Sequence, residues 1–173
     1  MTARIRSDAR RNRARILTAA AEAFARSGTD LPMDELAGRA GVGIGTLYRH
    51  FPGRQALLDA VVAVEMDRVR AAAVSALAEE PTVWAALCRF VRTLTACHAG
   101  AVLAQLEPQP HEESALSAAL ASMVSGAQAE RSMRADVGVT EVHAAVEMLV
   151  RGRSDAPKIA EIILDGLRST PRE

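Results

Sequence analysis

The sequence predicts an all-α protein, with a three-helix helix-turn-helix head at the amino terminus and a larger helical bundle after it, about nine helices in total. Three observations carry this. Apolar residues are 49% of the 173-residue chain and aromatics only 3%, the profile of an alanine- and leucine-rich helical protein and not of a β-sandwich. Apolar positions recur at helical spacing along the chain, and no stretch alternates as a half-buried strand does. Charge is also unevenly spread: residues 1–54 hold ten arginines against five acids, while the remaining 119 residues hold 11 basic and 16 acidic groups. The formal net charge of zero therefore hides a head of +5 and a body of −5, which suits a chain that presents one end to a polyanion.

Taken in order, Met1 to Arg15 is an arm with six arginines, among them Arg4, Arg6, Arg10 and Arg11, and one aspartate. Beside a reading head it would lie along DNA phosphates; standing alone it would be a solvated tail. From about Asp8 to Ser27 the stripe Ile16, Leu17, Ala20, Ala21, Phe24 predicts a helix, stopped at Gly28. Pro32 then opens a helix whose face carries Leu36, Ala37 and Ala40. Gly41-Val42-Gly43 provides a tight turn, and a second short helix follows with Leu47 and Phe51 at i and i+4. At 100° per residue, Gly45 and Arg49 fall opposite that apolar face, with Thr46 and Tyr48 on its flanks. This outer surface is small, hydrogen-bonding and cationic, as a helix entering the major groove of DNA requires.

The stretch LAGRAGVGIGTLYRHFPGRQALLDAV resembles the signature of the tetracycline-repressor-like (TetR) family of transcriptional regulators, in the run A-G-V-x-x-G-T-L-Y-x-H-F followed by a basic residue. The match covers roughly Arg15 to Val62 and is far more specific than a bare helix-turn-helix pattern; beyond it the likeness is architectural. The resemblance implies a DNA-binding domain over residues 1–53, and a ligand-binding and dimerisation domain over 54–173. It implies phosphate contacts by Thr46, Tyr48 and His50, and a charge-assisted bond from Arg54. Arg49, which the pattern leaves free, is the candidate for a base contact, since a guanidinium grips guanine O6 and N7 together. Phosphate contact alone is the other reading of it. Ile44 either offers a methyl to thymine or joins the core with Leu47. Two departures from the pattern weaken the phosphate grip. Leu31-Pro32 and Gly43 stand where hydroxyl residues usually cap the two helices, so the start of the second must rely on water, phosphate or backbone.

After the Pro52-Gly53 turn, a long helix from Arg54 carries Leu57, Leu58, Val61, Val62, Met66, Val69 and Leu77, a rod of about 37 Å joining the two halves. Pro81 or Thr82 begins the next helix, with Trp84, Leu87, Phe90, Val91 and Leu94 on its stripe. Gly100 breaks it before a short segment over 101–106, and Pro108 to Glu113 is the main loop of the body. A helix from about Glu113 to Arg134 carries Leu116, Leu120, Met123 and Val124. Two more complete the chain, separated from it and from each other by Gly138 and Gly152. Their stripes, Val139, Val142, Val146, Leu149 and Ile159, Ile162, Ile163, Leu167, are wide for a chain end. They are expected to pair with the same hairpin of a second copy in a four-helix bundle, since a single reading helix has too few base contacts; packing on their own subunit alone is the other reading.

The family resemblance further implies a pocket for an unknown small-molecule effector in the body. Trp84, Cys97, His98, Gln105, Met123 and Gln128 are its candidate lining, although alanine-rich helices more often mean close packing. Cys88 and Cys97 lie nine apart, on opposite sides of one helix, so a reduced, cytoplasmic protein without a disulfide is expected. The longest uncharged runs fall short of a membrane span. No enzyme is indicated. The residues three before His50, His98, His111 and His143 are Leu47, Thr95, Pro108 and Thr140, so no Glu-x-x-His di-iron pair exists, and no zinc spacing or phosphate loop is present. Neither metal nor cofactor is expected, and the partner is a double-stranded, pseudo-palindromic DNA operator. Two readings of the control stay open: a repressor released by a small molecule, or an architectural or partner-controlled DNA-binding protein with no such effector.

Overall fold

The structure is a computed structural model that describes residues 2–96, 115–151 and 156–169. Among them are eight helices: α1 (Thr2–Ser27), α2 (Met33–Ala40), α3 (Ile44–His50), α4 (Arg54–Glu79), α5 (Val83–Ala96), α6 (Ala115–Ala129), α7 (Val139–Arg151) and α8 (Ala156–Leu167). The ninth helix expected over 101–106 lies outside the described residues. The only bridge between extended residues described is an isolated antiparallel pair, Met133 with Arg168.

The chain forms two compact units, Met1–Glu65 and Met66–Glu173. The sequence divides at Gly53 on its turn signal; compactness divides it inside α4. Leu57 and Val61, in the first turns of α4, are buried but belong to no part of the core of the second unit, which begins at Val69.

In the first unit, the head, α1 is longer than its apolar stripe. The stripe residues Ile16, Leu17, Ala20, Ala21 and Phe24 are all buried, but the helix runs back through the arginine arm to Thr2. Arginine is a good helix former, and Arg11 pairs with Asp8 one turn before it at 2.5 Å. Gly28 ends α1 with φ of 82°, its N–H donating to the Phe24 carbonyl. Leu36, Ala37 and Ala40 of α2, Leu47 of α3 and Phe51 are buried as their spacing requires. Of the two glycines in the turn, only Gly41 uses the left-handed region, at φ 62°. Its N–H donates to the Gly38 carbonyl and that of Val42 to Ala37, the paired bonds of a glycine-ended helix.

In the second unit, the body, α5 to α8 and the later turns of α4 enclose one core in which Leu87, Phe90, Leu120, Met123, Val146 and Leu164 are buried. The start of α5 is capped twice. The Thr82 hydroxyl accepts from the Ala85 N–H at 3.1 Å, and the Glu130 carboxylate accepts from the Val83 N–H at 3.0 and 3.1 Å. Gly126 permits this approach: a Cβ there would lie 2.8 Å from a Val83 methyl. A two-bond ion pair, Arg92 to Glu161 at 2.6 and 2.7 Å, joins α5 to α8. The helix expected to reach Arg134 ends instead at Ala129. Arg131 turns left-handed at φ 58°, and the Ser132 N–H closes on the Ala127 carbonyl.

Candidate nucleic-acid interface

Helix α3, the expected reading helix, is short and shallowly seated. Leu47 alone of its residues is fully buried; Thr46 and His50 are half-buried, and Ile44, Gly45, Tyr48 and Arg49 are exposed. Tyr48 keeps 47% of its surface and Ile44 43%, which places Ile44 on the outer face and not in the core. Its N-cap, Gly43, has an extended backbone at φ −69° and gives no side-chain hydrogen bond, and Pro32 likewise gives none to α2. Nothing lies within 4 Å of where a Cβ would stand on Gly43 or Gly45, so the first turn is a bare backbone surface with open space before it. Such a surface can approach a phosphate backbone closely, and its unpaired N–H groups suit an anion. The His50 ring leans on Phe51, with centroids 6.3 Å apart.

The cations divide into two sets. Arg10, Arg11 and Arg49 are exposed; Arg4 and Arg6 lie on α1, and their side chains are outside the described residues. Arg54, expected at phosphate, instead donates to the Thr29 carbonyl at 2.5 Å. Arg15 donates to the Gly41 carbonyl at 3.1 Å, and the Arg13 guanidinium sits over the Phe51 ring, 5.3 Å from its centre. Sequence reading assigned neither Arg13 nor Arg15 such a place. The available signal was the end of α2, where the last carbonyls favour a nearby cation.

The expected ligand lining is described only in part. Cys97, His98 and Gln105 lie outside the described residues. Trp84 and Met123 are buried in the body core. Gln128 donates to the Arg134 carbonyl at 3.1 Å and the Val137 carbonyl at 2.8 Å, holding the α6–α7 connection in place. An open cleft of about 1060 Å³ lies along that connection and the end of α8, among Arg131, Arg134, Asp136, Asp165 and Arg168. Cys88 is buried, and that burial raises its thiol pKa against the pull of Arg92 and Arg168, a poor setting for a reactive thiolate. Among the described residues no three His, Cys, Asp or Glu side chains gather as a metal site, and no helix is long and apolar enough to cross a membrane.

The expected dimer residues divide into two sets. Val142, Val146, Leu149 and Leu167 are buried in their own subunit's core, and Val139 and Ile163 pack against it. They face inward because they share the helix sides that meet α5 and α6. What α7 and α8 leave outward is Ile159 at 44%, Ile162 at 65% and Met148, unnoticed in the sequence, at 71% exposure.

Residues 16–61 match the family described as bacterial regulatory proteins, tetR family. Among solved structures, a TetR transcription regulatory protein from Mycobacterium vanbaalenii is 37% identical over 95% of this chain and 99% of its own, with a TM-score of 0.70. A TetR transcriptional regulator from Streptomyces coelicolor is 31% identical over 91% of this chain and 99% of its own, also at 0.70. CprB from Streptomyces coelicolor, solved in complex with its biological operator sequence, shares the fold at 23% identity, covering 92% of this chain and 89% of its own with a TM-score of 0.71. No curated protein matches the chain.

Proposed function

Because the chain belongs to the tetR family of DNA-binding transcription regulators, we propose that it is a homodimeric repressor that reads a pseudo-palindromic operator with α3. The observation that carries this is the division of α3 between one buried residue, Leu47, and an outer face of Ile44, Gly45, Tyr48 and Arg49. Thr46, Tyr48 and His50 contact phosphate, with the bare start of α3 at Gly43 and the exposed Arg10 and Arg11 of α1, and Arg49 reads a base. Two copies join through Met148, Ile159 and Ile162, the apolar side chains that α7 and α8 leave in solvent. Such a dimer sets two reading helices about one turn of DNA apart.

Purified protein should enrich a short palindrome from a random duplex pool and protect it from cleavage. On that duplex Arg49→Ala should cost about 1–3 kcal/mol while leaving binding to unrelated DNA nearly unchanged. Weak, sequence-blind binding with a steep salt dependence would sink the proposal.

Release by a small molecule bound in the expected ligand-binding and dimerisation domain, residues 54–173, is the matching proposal for control. An effector must prefer the non-binding state, because equal affinity for both states shifts nothing. The rival, control by a partner or an architectural role with no effector, is favoured by one observation. Trp84, Met123 and Gln128, half of the expected lining, are committed to the core or to the α6–α7 connection. A thermal-shift screen separates the two, since a true effector raises the midpoint as RT ln(1 + [L]/Kd) and a solid body gives no hit.

A further inference from the structure

Arginines near a reading helix are ordinarily counted as phosphate contacts, but three of those in this head already have partners inside it. The Arg15 guanidinium reaches across 26 residues of sequence to the Gly41 carbonyl, in the turn between α2 and α3. Arg54, partly buried at the start of α4, reaches back to the Thr29 carbonyl in the turn between α1 and α2. Arg13 lies over Phe51, the residue that caps the end of α3. The three thus grip the turn before α2, the turn before α3, and the end of α3.

That pattern matters because α3 has few anchors of its own. It is seven residues long, too short to be stable as an isolated helix, it fully buries only Leu47, and no side chain caps its start. Its direction is therefore fixed by what holds its two ends. Arg15 also places its charge beside the last carbonyls of α2, where the helix dipole favours a cation. Gly41 fits the same contact from the other side: it needs φ of 62°, and a Cβ there would come within 2.5 Å of the Arg15 guanidinium nitrogen. Glycine at 41 leaves the space in which Arg15 reaches the turn.

We infer that Arg13, Arg15 and Arg54 are positioning residues, which set the pose of α3 and so act on sequence discrimination through it and not by binding phosphate. The inference rests on the reading of α3 as the DNA-contacting helix. It assigns Arg54 a different role from the phosphate contact that the family pattern implies.

The test uses full-length protein with two duplexes, the one that wild type enriches from a random pool and one of unrelated sequence. A phosphate contact removed by Arg15→Met or Arg54→Met would weaken binding to both duplexes equally and make the slope of log K against log [salt] shallower by about 0.9. That result overturns the inference. The expected result is a loss of roughly tenfold or more on the enriched duplex, little loss on the unrelated one, and an unchanged slope. Gly41→Ala removes no charge, so the same loss of discrimination from it supports positioning, and wild-type discrimination argues against it. Should Arg54→Met fail to fold, Arg54→Lys keeps the charge without the planar fork; lost discrimination again supports the inference and wild-type discrimination overturns it.

Failure of the DNA reading itself would look different, because wild type would then enrich no sequence. The positioning role is still read in DNA-free protein by amide exchange at Leu47 and Phe51, whose N–H groups bond the Gly43 and Leu47 carbonyls. Faster exchange at both in Arg15→Met and Arg54→Met, with the body unchanged, supports it; wild-type rates at both overturn it.

Discussion

The head and the body are both helical and both rich in alanine, but they are held together by different means. In the head, the arginine–carboxylate pairs, such as Arg11 with Asp8 and Arg39 with Glu35, stay within one helix, while the arginines that link separate elements bond backbone carbonyls or cover a ring, beside buried residues that include Phe24, Leu36, Leu47 and Phe51. In the body, links between helices include arginine–carboxylate pairs, Arg92 with Glu161 and Arg89 with Glu79, around a core of its own. The difference tracks charge: residues 1–54 hold ten arginines against five acids, so arginines remain for carbonyls and a ring once the local pairs are made, and a net positive charge remains for a polyanion.

The largest way to expose that contrast is to make the same hole in each core. Phe24 and Phe90 are both fully buried, and replacing either by alanine should cost about 3–5 kcal/mol. Phe24→Ala should melt the head and abolish sequence-specific binding while amide protection survives in α5 to α8. Phe90→Ala should lower the body's protection and melting point first. If the two variants melt identically and lose protection everywhere, the units are one cooperative whole and the contrast fails.

A smaller effect, about 1–3 kcal/mol, is expected from Gly126→Ala. The new methyl would lie 2.8–3.3 Å from three carbons of Val83, and a β-branched side chain at the start of a helix has little room to move aside. The Glu130 cap on the Val83 N–H depends on the same approach, so denaturant melts should show a body weakened while DNA affinity per folded molecule stays at the wild-type value. Loss of that affinity would mean that the α5–α6 contact also reports to the head.

These two sites differ in how far the sequence announced them. Phe24, like Leu36, Leu47 and Phe51, was legible because its neighbours recur at helical spacing within one segment, and the same 100° spacing taken from Leu47 gave the outward face of α3. Gly126 was not, since its partner Val83 lies more than forty residues away and the Glu130 cap spans 47. The same limit explains Arg54 and Arg15, whose carbonyl partners are 25 and 26 residues distant. Periodicity says which residues share a face but not what that face meets. On α8 it offered one stripe, Ile159, Ile162, Ile163 and Leu167, and packing splits it: Leu167 and Ile163 join the core side with Ala160 and Leu164, while Ile159 and Ile162 stay in solvent.

A backbone change should stabilise the body by a smaller amount. Arg131 occupies the left-handed region at φ 58°, where a Cβ costs about 1–2 kcal/mol, while glycine there costs about 0.5–1 kcal/mol in unfolded-chain entropy. Arg131→Gly should therefore raise the melting temperature of the body slightly and leave DNA binding unchanged. A decrease would mean that the arginine side chain, which lines the cleft beside Arg134 and Arg168, makes a contact that outweighs the strain.

The smallest expected effect separates head and body by pH. Glu79, Asp136 and Glu161, held below their ordinary range chiefly by hydrogen bonds, all lie in the body; the main partner is Ser75 for Glu79, Arg134 for Asp136 and Arg92 for Glu161. Asp136 is the clearest, lowered from 3.8 to about 2. A carboxylate whose folded pKa is depressed stabilises fully above its unfolded value, and that stability is lost as pH falls through the folded one. Asp136→Asn should accordingly lower the body's melting point at pH 5 to 7, by a small amount because the pair is exposed to solvent, and the gap from wild type should close as pH falls from about 4 to about 2. Arg15 and Arg54 hold the reading helix through the Gly41 and Thr29 carbonyls and not through a carboxylate. Holding of the reading helix, followed by amide exchange at Leu47 and Phe51, should therefore outlast the loosening of the body as acid is added, and an α3 that loosens in step with Asp136 would show that the head leans on the body's ion pairs.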